Sequence, residues 1–108
     1  MQMSDVKLRL QRVEECATEA LQACQAGGPI PPELRTCVSE LDRRSHEAMQ
    51  MMQSQNDEQT ISQWVDDLER LGDRAMAACR RAQDTSEPLR SAIQHAHDEL
   101  SSLKHQLH

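Results

Sequence analysis

Residues 6–24 read VKLRLQRVEECATEALQAC, and residues 61–79 read ISQWVDDLERLGDRAMAAC. At a shift of 55 residues the two stretches share one hydrophobic seam. Val6, Leu10, Val13, Ala17, Ala20 and Cys24 fall on Ile61, Val65, Leu68, Gly72, Ala75 and Cys79. The steps alternate four and three, which is the spacing of a and d positions in packed helices. The same shift carries Leu34, Val38, Leu41, Ser45, Ala48 and Met52 onto Leu89, Ile93, Ala96, Leu100, Leu103 and Leu107. Identities accompany the pattern: Glu14/Glu69, Ala20/Ala75, Ala23/Ala78, Cys24/Cys79, Leu34/Leu89 and Arg35/Arg90. The pattern reads as one helical hairpin written twice.

Punctuation outside the seams agrees. Ser4 or Asp5 is placed to cap a first helix, and Gly27-Gly28-Pro29 to stop it. Pro31-Pro32 suits the first turn of a second helix. Asn56 with Gln59 three residues on reads as a capping box for a third. Thr85 or Ser86 ahead of Pro88 opens a fourth. The chain is expected to be all-α, an antiparallel up-down-up-down four-helix bundle built from a duplicated αα-hairpin. It forms one domain over residues 1–108, with helices near 4–26, 32–54, 57–83 and 86–107.

Composition supports helices over sheet. Aromatic content is 1%, all of it Trp64, which starves a sandwich or barrel of its usual residues. The abundant residues are the strong helix formers. Eighteen acidic side chains against twelve basic ones leave a net charge of −6. That field repels phosphate backbones and anionic lipid, so neither nucleic acid nor a membrane is expected as partner. The doublets Arg43-Arg44 and Arg80-Arg81 read as solvated faces forming pairs such as Glu40–Arg44. No apolar run reaches the roughly 20 residues of a membrane span, and no secretory signal is visible. A cytoplasmic location follows, with reduced cysteines. The excess of arginine over lysine with many alanines suggests a bacterial source.

Cysteine is the first place to look for chemistry. Cys24, Cys37 and Cys79 lie at similar distances from their local turns, so a bundle gathers them at one end; Cys16 sits about two turns deeper. A thiolate site for Cu(I) or Zn(II), or a redox pair, would use Cys24, Cys37 and Cys79. The plainer reading gives each cysteine an alanine-like place in the core. Met1, Met3, Met49, Met51 and Met52 gather at the opposite end with His105 and His108. There the seam makes methionine a core filler before a ligand.

Other chemistry is excluded by pattern. A di-iron site needs Glu-x-x-His, which the chain lacks, and every helical carboxylate avoids the seam. His95 and His97 cannot face one another at a spacing of two. His105 falls on an outward position, and CxxCH is absent, which disfavours haem. Ser45 is the one hydroxyl on the seam, expected to bond its i−4 carbonyl. No catalytic residue and no cofactor is expected.

Two features remain. The small residues Ala17, Ser45 and Gly72 meet near mid-height, where Gly72 suits a close approach of the first and third helices or a void for a small apolar ligand. Leu8 falls outward, and Trp64, Leu21, Leu71 and Met76 flank the seam. Leu8 and Trp64 are therefore the candidate partner-contact residues, near one end of the bundle. The expected function is a non-catalytic bundle acting through protein–protein interaction, as a homodimer or with another protein. The alternative is a soft-metal or thiol-redox bundle.

Overall fold

The computed structural model describes residues 3–26, 30–54, 57–82 and 85–107 and holds four helices. They are α1 Met3–Ala26, α2 Pro32–Met51, α3 Glu58–Arg81 and α4 Glu87–Leu107. The molecule measures 40 × 22 × 18 Å, a long axis that suits helices of 20 to 24 residues rising 1.5 Å each.

Helix ends differ from the sequence expectation in instructive ways. α1 already includes Ser4 and Asp5, so neither caps it. α2 stops at Met51 and not at residue 54. Gln53 N–H donates to Gln50 O and Ser54 N–H to Met51 O, so the ladder tightens to i−3 bonds and unwinds into a turn. The cap of α3 is Asp57, whose carboxylate accepts from Gln59 N–H (3.3 Å) and Thr60 Oγ1 (2.8 Å). Asn56, the expected cap, lies outside the described residues, as do Gly27, Gly28 and Pro29. α3 ends at Arg81, two residues short, because Ala82 turns extended. Ser86 Oγ receives Leu89 N–H (3.4 Å) at the start of α4.

The seams face inward. Every seam residue is buried except Leu107, which is half-buried. Burying one large aliphatic side chain is worth about 1.5–3 kcal/mol, and Leu10, Leu34, Leu41, Ile61, Leu89, Ile93, Leu100 and Leu103 are each fully sequestered. Leu71, expected only to flank the seam, is buried as well. The core has two parts. A longer one holds Val6, Leu10, Val13, Met52, Ile61, Val65 and Leu103. The shorter is rich in small residues and holds Cys24, Cys37, Ala78, Cys79 and Ala92.

Neighbouring helices are α1–α2, α2–α3, α3–α4 and α4–α1. No described Cα of α1 lies within 8 Å of one in α3, nor any of α2 within 8 Å of α4. α1 and α3 are therefore diagonal, and the close approach expected for Gly72 does not occur there. Gly72 faces α4 instead: a Cβ at that position would lie 3.6 Å from Leu100 Cδ1 and 3.9 Å from His97 Cα. Leu100 fills the space at Gly72.

Polar pairs fix the register. Thr18 Oγ1 donates to Asp42 Oδ1 (2.9 Å), and His46 Nδ1 lies 3.6 Å from Glu14. Position advances on α1 as it recedes on α2. α3 and α4 run the same way, through Asp73–His97 (2.7 Å) and Glu69–Lys104 (2.8 Å). Thr18–Asp42 and Asp73–His97 are repeat mates with donor and acceptor exchanged. Arg81 of α3 reaches Glu33 of α2 (2.6 Å).

Candidate functional site

Two lateral grooves carry the features that the core does not use. The first runs between α2 and α3, where the last turn of α2 lies beside the early turns of α3. Ala48, Met51, Trp64 and Leu68 form its apolar part, and Arg44, Glu47 and Asp67 its rim, around a cavity of about 220 Å³. Ala48 and Leu68 belong to the core and are buried. Trp64 is half-buried against that core, and Met51 stands 48% exposed at the end of its helix. Asp67 pairs with Arg70 on its own helix (3.5 Å). Arg44 turns into this groove and does not pair with Glu40; among the described residues no ion pair joins those two.

The second groove lies between α1 and α4 and is a broader depression of about 540 Å³, lined by Asp5, Leu8, Arg9, Arg12 and Gln106. Leu8 is 51% exposed at its edge. Glu99 of α4 reaches across to Arg9 (3.7 Å) and Arg12 (3.9 Å). Its buried Oε2 finds no hydrogen-bond donor among the described residues.

These grooves occupy opposite faces of the bundle, since α1–α4 and α2–α3 are opposite sides of the ring. Leu8 and Trp64 lie near one end, yet they do not make a single patch. The 55-residue shift maps three lining positions of one groove on the other: Arg9 on Trp64, Arg12 on Asp67 and Gln106 on Met51. The apolar face thus has tryptophan and methionine where its counterpart has arginine and glutamine.

The cysteines form a different kind of region. Cys24, Cys37 and Cys79 share the shorter core cluster and are buried, while Cys16 is half-buried between Glu15, Glu19 and Glu99. All four are free thiols. Burial raises the Cys24 thiol above its usual range, and Arg35 opposes it by less. Burial likewise raises Cys37 and Cys16, helped by neighbouring carboxylates. A raised thiol is a poor nucleophile and a poor metal ligand. Cys24 and Cys79 sit on diagonal helices, so their Cα atoms are more than 8 Å apart. A disulfide spans at most about 7 Å, so this pair cannot close without backbone movement. Among the described residues no three His, Cys, Asp or Glu side chains are grouped to hold a metal.

At the methionine end, Met52 is buried, Met49 half-buried and His105 exposed. Met1, His108 and the side chain of Met3 lie outside the described residues. Ser45 is fully buried, and its hydroxyl donates to Asp42 O (2.9 Å), an i−3 bond where i−4 was expected. His46 Nδ1 donates to the same carbonyl (2.8 Å). No helix is long and apolar enough to cross a membrane among the described residues.

Comparison of the chain with protein-family models, with curated proteins and with solved structures returns no match. Leu8 and Trp64 were legible as contact candidates, whereas Arg44 read as a solvated face, Met51 as a core filler, and Glu47 and Asp67 carried no assignment. The signal was present at the same shift, in the sign reversals Arg12/Asp67 and Arg44/Glu99.

Proposed function

We propose that this protein is a non-catalytic cytoplasmic bundle that works by holding another protein chain against its side, not nucleic acid or a membrane. The framework is read as an up-down-up-down bundle derived from a duplicated hairpin. The exchange of Thr18–Asp42 for Asp73–His97 at mated positions supports that history. The net charge of −6 supports the choice of partner.

One observation carries the functional reading: the α2–α3 cavity, with Trp64 and Met51 inside a charged rim. At about 220 Å³ it is smaller than the roughly 300–1,000 Å³ typical of small-molecule sites. It suits a large anchoring side chain from another chain, and aromatic and methionine surfaces ringed by charge are the usual composition of contact hot spots. Surface substitution at Met51 leaves the core alone. The test is affinity capture with tagged full-length protein, comparing the native chain with Met51→Lys. The reading expects a stoichiometric protein partner, the same chain included, that Met51→Lys loses. Equal capture by both, or none with the chain monomeric, contradicts it.

A further inference from the structure

Leu8 and Met51 are the large apolar side chains left exposed among the described residues, and they stand on opposite faces. A patch on each of two opposite faces cannot form one contact within a molecule. Between molecules it can. We infer that the α1–α4 face of one copy docks on the α2–α3 face of the next, a head-to-tail contact between unlike surfaces. The inference rests on the proposed protein-contact function and names the partner as a second copy of this chain.

Register brings the right groups together. α1 and α2 are aligned by Glu14 opposite His46 and Thr18 opposite Asp42. Extending that alignment toward the open end puts Leu8 level with Met51 and Met52, and Arg12 level with Ala48. Repeat mates occupy corresponding heights, and a copy displaced sideways sets α1 of one molecule beside α2 of the next and α4 beside α3. Arg12, level with Ala48, then meets Glu47 on the rim of the facing groove. Leu8 and the stem of Arg9 meet Met51.

The Arg12–Glu47 encounter is between opposite signs. The apolar encounter covers both exposed side chains at once. Complementary charge selects this pairing and its register. An unlike-face contact leaves one free face at each end, so it propagates as an open chain unless a rotation closes it.

The test is sedimentation equilibrium on the full chain, with Leu8→Glu and Met51→Lys made separately. Both positions are about half exposed, so neither change removes core packing. The native chain is expected to gain mass with concentration past the dimer. Each variant alone should associate at least about tenfold more weakly. An equimolar mixture should recover association, because the variants retain one intact face each and those faces are complementary. A mixture as weak as either variant overturns the inference. So does a dimer that Leu8→Glu leaves untouched, which would be a contact between like faces. A chain monomeric at every concentration overturns it too; if Met51→Lys still abolishes capture of a different protein, the proposed function survives that result.

Discussion

The two lateral faces of this bundle occupy mated positions and have been filled in opposite ways. On the α1–α4 side, Glu99 crosses between helices to Arg9 and Arg12, and the surface is polar except for Leu8. On the α2–α3 side, the mates of Arg9 and Gln106 are Trp64 and Met51, and an apolar pocket opens. The buried seams of both hairpins keep the same spacing. Core positions are held to one spacing by packing, whereas the lateral positions of the two hairpins differ in charge and bulk.

The core offers its own comparison, and it can be broken experimentally. Along α2 the seam reads Leu41, Ser45, Ala48, and along α4 it reads Ala96, Leu100, Leu103. Bulk sits low on one helix where it sits high on the other. Leu41→Ala, which copies its mate Ala96, should destabilise the protein by about 2–5 kcal/mol, read from urea denaturation. A loss below about 1 kcal/mol would mean that α2 tolerates the α4 pattern and the difference is incidental.

Asp42 is 19% exposed and Asp73 57%. Asp42→Ala should cost about 1–2 kcal/mol, since it leaves Thr18 without its partner in a partly buried place. Asp73→Ala should cost about 0.5 kcal/mol or less. The same denaturation experiment measures both, and equal costs would refute the asymmetry.

Gly72→Ala sharpens the comparison in the opposite direction. The added Cβ meets Leu100 Cδ1 at 3.6 Å, an ordinary contact, and no α1 backbone approaches. The substitution should therefore stabilise by up to about 1 kcal/mol through helix propensity. A loss of stability would show that the gap at Gly72 is needed.

The smallest effect expected is one of pH, at the cysteine-rich end. Cys16, Cys24 and Cys37 stay protonated in the folded chain at a pH where the unfolded chain has begun to ionise, because burial raises them. Their contribution to stability is whole below about pH 8.5. It declines as pH rises through the window between the unfolded and the folded values. Thermal melts from pH 8 upward should fall less steeply in the triple alanine variant than in the native chain.

Fold was legible because heptad spacing states which side of a helix is buried. Val6, Leu34, Ile61 and Leu89 each begin a seam that the structure buries. Spacing does not state which helices are neighbours. That is decided by the order in which the connections arrange the four helices, so Gly72 was assigned to α1 and Cys24 was set beside Cys79, its diagonal mate. Helix ends were legible only to within a few residues. Asp57 competes with Asn56 as a cap, and the i−3 bonds at Gln53 and Ser54 depend on geometry that residue preferences do not carry. Leu8 was legible as outward, and Trp64 as flanking. Their separation onto opposite faces was not, because it too depends on the ring order.

Trp64 is the chain's single aromatic residue and lies in the α2–α3 groove, so its emission reports on that surface alone. The most direct measurement is Trp64 fluorescence, with acrylamide quenching, over a concentration series of the native chain and of Leu8→Glu. Leu8 is on the far face, so within one molecule its replacement cannot alter the surroundings of Trp64. The account predicts a blue shift and growing protection from quenching as native concentration rises, both absent in Leu8→Glu. Emission that is independent of concentration, or a shift that Leu8→Glu leaves unchanged, would contradict it.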